Sequence, residues 1–308
     1  MKPKAWKKLG RIVCASENIS WMSTSTGPAC AIQNGNSSLF DIYITGRDER
    51  NRSRIGKVII DIEHPEKEIQ LSPSPVFDLG ELGCFDENGV SYPVIIEIDD
   101  LRYMYYVGWV PTVLTPFQNF TGLATAPRGT DNFTRVSRAP ILERTHAEPF
   151  STGSVDVMKE GERWRMWYTS FLRWGQPGEH KHYYVIKYAE STDGVHWGRD
   201  GKICIDMQDS SEYAIGKPSV FKHNNQYYMW YVYRGTQYRI GFATSHDGIA
   251  WERLDHLAGI TVSEGTAWDS QAISYPYVFR YQDKLYMLYC GNDYGREGLG
   301  LAQMTLPL

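Results

Sequence analysis

One short phrase recurs along this chain about every sixty residues, and it limits the possible folds more than any other feature. It reads Tyr103-Met104-Tyr105-Tyr106, Arg165-Met166-Trp167-Tyr168, Tyr228-Met229-Trp230-Tyr231 and Tyr286-Met287-Leu288-Tyr289, with a degenerate copy ahead of them, Phe40-Asp41-Ile42-Tyr43-Ile44. Aromatic-rich runs of this kind favour strands. The four later copies each follow a Pro- or Ser-led apolar run: Pro93-Val94-Ile95-Ile96, Ser154-Val155-Asp156-Val157, Pro218-Ser219-Val220-Phe221 and Pro276-Tyr277-Val278-Phe279. A second phrase, Ala189-Glu190-Ser191-Thr192-Asp193-Gly194-Val195-His196-Trp197, returns as Ala243-Thr244-Ser245-His246-Asp247-Gly248-Ile249-Ala250-Trp251. Asp-Gly between apolar segments signals a hairpin, because Gly takes positive φ at no steric cost. Several strands in a fixed period, five times over, predict an all-β fold, a five-bladed β-propeller of four-stranded antiparallel blades. The blades are expected near 21–75, 84–142, 148–206, 212–262 and 268 to the end, as one domain over residues 1–308. The segment Arg11-Ile12-Val13-Cys14 is expected to supply the outer strand of the last blade and so remove a free sheet edge.

Composition narrows the function classes. With 42% hydrophobic and 22% charged residues the chain reads as a soluble globular protein. The net charge of -4, without a basic stripe, argues against nucleic acid as a partner. No apolar run of about eighteen residues is present, so no membrane span is expected. The basic start Met1-Lys2-Pro3-Lys4-Ala5-Trp6-Lys7-Lys8 leads into no apolar stretch of the kind a secretory signal carries. Cys14, Cys30, Cys84, Cys204 and Cys290 form no C-x-x-C pair and read as reduced thiols of a cytoplasmic protein. No cofactor or metal is expected. Gly291-Asn292-Asp293-Tyr294-Gly295 lacks the helix and Lys-Ser/Thr of a phosphate loop, and His180-x-His182 lacks an acidic ligand at helical spacing.

The loops leading into the inner strands carry a recurring acid. Asp86 lies seven residues before Pro93, Asp269 seven before Pro276, Glu212 six before Pro218 and Glu148 six before Ser154. The loops after the aromatic strands add Arg47, Trp109, Arg173, Trp174, Arg234, Asn292 and Asp293. In a propeller both sets of loops share one face, so these residues are expected to converge above the central channel. Tryptophan faces stack on sugar rings and carboxylates grip hydroxyls or move protons, which suits a carbohydrate ligand. An acid before a strand also has a plainer use, capping backbone amides of a turn. Arg47 and Arg54 belong in part to a solvated charge run, and Trp109 and Trp174 suit packing between blades equally well.

The stretches Phe85-Asp86-Glu87-Asn88-Gly89-Val90, Met166-Trp167-Tyr168, Tyr188-Ala189-Glu190-Ser191-x-Asp193-Gly194-x-x-Trp197, Tyr238-Arg239-Ile240-Gly241-Phe242-Ala243 and Trp268-Asp269-Ser270 resemble a known group. They are similar to the five-bladed propellers of the glycoside hydrolase superfamily that includes families 32, 43 and 130. Within it the chain looks like a bacterial branch associated with surface-polysaccharide and sugar-biosynthesis gene clusters. The resemblance implies a funnel-shaped sugar site with acids on successive blades. Asp86 matches the blade-two acid, and Glu148 or Glu212 the later one. The blade-one stretch, Met22-Ser23-Thr24-Ser25-Thr26-Gly27-Pro28, has no carboxylate, so the chain departs from families 32 and 43 there. The leading expectation is an enzyme acting at a glycosidic or anomeric bond. Asp86, Glu212 and Asp269 would share the acid, base and stabiliser roles, with Glu212 favoured as a proton donor of raised pKa. Glu148, Arg47, Trp109, Trp174, Arg234 and Asp293 would bind the sugar or glycoconjugate. The alternatives are a phosphorylase whose phosphate sits on Arg47 and Arg234, a transferase or cyclising enzyme on an activated sugar, or a sugar-binding propeller without catalysis.

Overall fold

The structure is a computed structural model that describes residues 5–67, 70–179 and 181–306. Among these the chain is almost wholly strand. After β1 (Lys7–Val13) come five successive antiparallel units. Unit one holds β2 (Ser25–Gln33), β3 (Leu39–Arg47), β4 (Ser53–Asp61) and β5 (Gln70–Leu71). Unit two holds β6 (Gly89–Ile98), β7 (Leu101–Pro111), β8 (Phe117–Pro127) and β9 (Thr134–Arg135). Unit three holds β10 (Thr152–Glu160), β11 (Arg163–Trp174), β12 (His182–Ser191) and β13 (Ile203–Ile205). Unit four holds β14 (Ala214–His223), β15 (Gln226–Arg234), β16 (Tyr238–Ser245) and β17 (Glu252–Arg253). Unit five holds β18 (Ser274–Tyr281), β19 (Lys284–Cys290) and β20 (Leu299–Thr305), and β1 completes it by pairing with β20, as expected for the Arg11 segment. Single parallel pairs, Ser53 with Gly89 and Tyr184 with Ala214, join units one and two, and units three and four, into larger sheets.

The recurring phrase is the second strand of each unit, and its methionines Met104, Met166, Met229 and Met287 are fully buried. The apolar core is divided into layers between successive units. Ile95 and Tyr106 of unit two pack on Tyr43 and Ile55 of unit one. Tyr105 and Leu123 of unit two pack on Met166 and Tyr168 of unit three. Further layers join units three and four and units four and five, and the last places Leu288 and Leu299 of unit five against Ile42 and Ile44 of unit one. The first strands likewise touch in sequence, β18 meeting both β14 and β2.

Each first strand breaks register with its neighbour at the same place, between Thr26 and Ala29, Ser91 and Val94, Thr152 and Val155, Gly216 and Ser219, and Ser274 and Tyr277. A bulge leaves one residue unpaired and re-aims it, and Pro is tolerated there because it has no N–H to lose from the ladder. The positions before Pro28, Pro93, Ser154, Pro218 and Pro276 are Gly27, Tyr92, Gly153, Lys217 and Tyr275. Three of them, Tyr92, Lys217 and Tyr275, have left-handed φ of 53°, 47° and 56°.

Candidate functional site

The four acids of the lead-in loops share an environment, but it is not an open pocket. Asp86 is 1% exposed, accepts from the Tyr106 hydroxyl at 3.0 Å and pairs with Arg135 Nε at 2.7 Å. Asp269 repeats this with Tyr289 at 3.0 Å and Lys8 at 2.6 Å. Glu148 accepts from Tyr168, Ser170, Lys187 and Arg199. Glu212 is gripped by both terminal nitrogens of Arg253 at 2.8 and 2.7 Å, while Tyr231, the equivalent tyrosine, donates to Asp255 beside it. Each acid thus ties its loop to a cation on or near the outer strand of the same unit. In three of the units it also holds the last tyrosine of the phrase. Burial pushes the carboxyls of Glu148 and Asp269 up, but donors and nearby cations outweigh it and both end below their ordinary range, opposite to the raised value expected of a proton donor.

This pattern also accounts for the missing blade-one carboxylate. Phe85 before Asp86 and Trp268 before Asp269 each lie on two glycines, Gly108 with Gly122 and Gly291 with Gly300. Trp21 lies in the same way on Gly46 and Gly56, so Met22 takes the acid's place. Its tyrosine partner is replaced too, by Ile44, and Met22 and Ile44 are both fully buried in one apolar layer. Two apolar side chains stand where the other units have an acid and a hydroxyl, so neither position holds a polar group in need of a partner.

The five bulges and the ends of the second strands enclose a cavity of about 540 Å3. Its wall includes Arg47, Trp109, Arg234 and Asp293, four of the residues expected at the sugar site. It does not include Asp86, Glu148, Glu212 or Asp269, and the expected convergence of those acids gives way to their separate pairings. Trp174 stands behind the wall, packed at 5.3 Å on Phe117 and 5.4 Å on Phe171. His182 stacks on Phe171 at 5.7 Å, and His180 of the same His-x-His pair lies outside the described residues.

The wall is polarised. Units two and three contribute Trp109, Phe117, Phe171 and His182, an aromatic arc. Units four, five and one contribute Arg234, Arg296 and Arg47, and the one carboxylate among the lining residues is Asp293, paired with Arg296 at 3.3 Å. Arg47 donates to two neutral oxygens of Asn51 at 3.1 Å and has no ion pair among the described residues, and it lies 5.0 Å from the Trp109 ring. Burial pushes its pKa down, though a guanidinium stays charged. Arg234 lies among the rings of Tyr213, Tyr238 and Tyr294 at 5.0 to 5.4 Å. At the floor are Tyr92, Lys217 and Tyr275, with Tyr184 and Tyr238 sharing a hydroxyl–hydroxyl bond of 2.6 Å. Sequence reasoning passed over these floor residues. Their signal was present, since Tyr92, Lys217 and Tyr275 each directly precede the proline of an inner strand.

Over 298 residues the chain is 40% identical to the uncharacterised proteins Rv1502 and MT1551 of two Mycobacterium tuberculosis strains, covering 97% of this chain and 98% of each of theirs. It belongs to their family. Residues 185–304 also match the family model described as glucosamine inositolphosphorylceramide transferase 1, N-terminal. Among solved structures, a glycoside hydrolase superposes with a TM-score of 0.77 at 17% identity, covering 100% of this chain and 93% of its own. A thermostable family-43 glycoside hydrolase gives 0.67 at 16%, covering 92% and 90%. A protein from the family of mannoside phosphorylases that also contains hydrolases of β-1,2-mannosidic linkages gives 0.73 at 15%, covering 99% and 97%. At such identities the likeness is one of fold, that of five-bladed propeller glycoside hydrolases of the family 43 and 130 type, as the sequence motifs had suggested.

Proposed function

We propose that the five units are the blades of one five-bladed propeller, and that its axial cavity binds a phosphate-bearing sugar and acts at its anomeric bond by transfer or phosphorolysis. The observation that carries this reading is the cationic arc of Arg47, Arg234 and Arg296, opposed by the single carboxylate Asp293. Glycoside hydrolysis calls for two carboxyl groups flanking the scissile bond. A leaving phosphate calls for fixed cations where its charge develops. The aromatic arc facing the arginines suits the flat face of a sugar ring or base. The family match to the N-terminal part of a sugar transferase, and the fold shared with a mannoside phosphorylase family, point the same way. In this reading Asp86, Glu148, Glu212 and Asp269 hold the loops from behind, and Arg47, Trp109, Arg234 and Asp293 meet the ligand.

The test is a panel of nucleotide-diphosphate sugars and sugar 1-phosphates beside neutral aryl glycosides, followed by calorimetry and by product analysis with and without phosphate. Binding of the charged compounds is expected, weakened about tenfold or more by Arg234→Ala. Turnover of aryl glycosides without phosphate, abolished by Glu212→Gln, would instead assign hydrolysis to the lead-in acids.

A further inference from the structure

Lys217 occupies the fourth of five equivalent bulge positions, whose other occupants are two glycines and two tyrosines. Its backbone is left-handed, at φ 47°, which costs a lysine energy that the fold must supply elsewhere. Its side chain is 1% exposed, and among the described residues Nζ has no hydrogen-bond partner. A buried ammonium without a paired carboxylate is expensive, and it holds its charge only by interaction with other groups. The groups that face it are Asp156 on β10, Cys30 on β2, Cys290 on β19 and the Tyr277 ring on β18, whose centroid lies 5.5 Å from Nζ. Asp156 spends its two oxygens on the backbone N–H groups of Val157 and Val220. Lys217 lines the cavity floor, and its amine lies beneath that floor among these groups, without a hydrogen-bond partner among the described residues.

We propose that Lys217 is the specificity-determining residue for anionic ligands: its buried amine beneath the cavity floor selects a phosphate-bearing ligand over a neutral sugar and takes up a proton when that ligand binds. This rests on the reading of the cavity as an anion site. Burial lowers the Lys217 pKa, and the Asp156 carboxylate opposes the shift. An anion above the floor adds to that opposition and raises the pKa again. Proton uptake is then greatest between the free and liganded values, and anion affinity declines as pH rises through the liganded value. Burial raises the Asp156 carboxyl to about 6 against the opposing Lys217 charge and the Val220 and Val157 N–H groups, so the Lys217→Met comparison assigns the proton.

Titration calorimetry with pyrophosphate at pH 8.5, in two buffers of different ionisation enthalpy, reads both effects. The wild type is expected to bind with net proton uptake. Lys217→Met is expected to bind about tenfold or more weakly with the uptake gone, while binding of a neutral methyl glycoside, where seen, is unchanged. The wild-type buffer comparison needs no variant, and Lys217→Gln repeats the measurement if the Met form does not fold. Pyrophosphate binding without proton uptake, or with equal affinity in Lys217→Met, overturns the assignment of Lys217 and leaves the anion site standing. No pyrophosphate binding by the wild type overturns the anion site itself.

Discussion

At the scale of single residues, the recurring acid is spent in buried pairs, while the residues before Pro93, Pro218 and Pro276 line the cavity floor. Glu148 shows what the acid is for. Replacing it with Gln leaves Lys187 and Arg199, both nearly buried, facing a neutral amide. Breaking a buried pair from one side costs about 3–5 kcal/mol, so Glu148→Gln is expected to lower the denaturation midpoint strongly, as urea unfolding would read. The lowered pKa values of Glu148 and Asp269 make the same statement about pH. A carboxyl whose folded pKa lies below its unfolded one stabilises the fold above about pH 4, and that contribution is lost as pH falls through the folded value. The melting temperature of the wild type is therefore expected to fall between about pH 5 and 2, and a Glu148→Gln form to lose less over that window. The acids were legible in the sequence through their shared spacing. Their partners were not, because Asp86 meets Arg135 across 49 residues and Asp269 meets Lys8 across 261.

At the scale of elements, units one, two and five repeat one device in which an aromatic residue of the lead-in loop lies on two glycines at the second and third strands. In unit one the glycines are Gly46 and Gly56, and a Cβ on Gly56 would overlap the Trp21 ring. Trp21 is 2% exposed and its indole N–H donates to the Ser72 carbonyl at 3.2 Å, so the ring has nowhere to move. Gly56→Ala is expected to cost about 1–3 kcal/mol by overpacking, measured by thermal or urea unfolding. Gly35→Ala has open space around its Cβ but a φ of 60°, so it carries backbone strain alone and is expected to cost less. The bulged inner strand is the second repeated device. Its proline could be read directly, but a sequence does not show which way a bulged side chain turns. For that reason the loop spacing pointed to Arg47 and Trp109 of the cavity lining but not to Lys217, Tyr92 and Tyr275.

At the scale of the whole molecule, the ends of the chain meet in unit five. β1 covers the outer edge of β20, Lys8 neutralises Asp269, and Trp6 packs edge-on against Trp230 at 5.5 Å. Removal of residues 1–13 would bare the β20 edge and leave Asp269, 2% exposed, without its cation. Such a truncation is expected to unfold or aggregate on size-exclusion chromatography, whereas Lys8→Met, which keeps the strand, should remain monodisperse but less stable. The sequence by itself determined the repeat, its strands and the pairing of the N-terminal segment with the last unit. Strand alternation, turn residues and a fixed period are local properties that each unit writes in its own sixty or so residues. Only the tertiary structure decided which polar residues face the cavity and which are consumed in buried pairs. Both kinds stand in the same loops at the same spacing, and what separates them is a partner brought near by the packing of strands far apart in the chain.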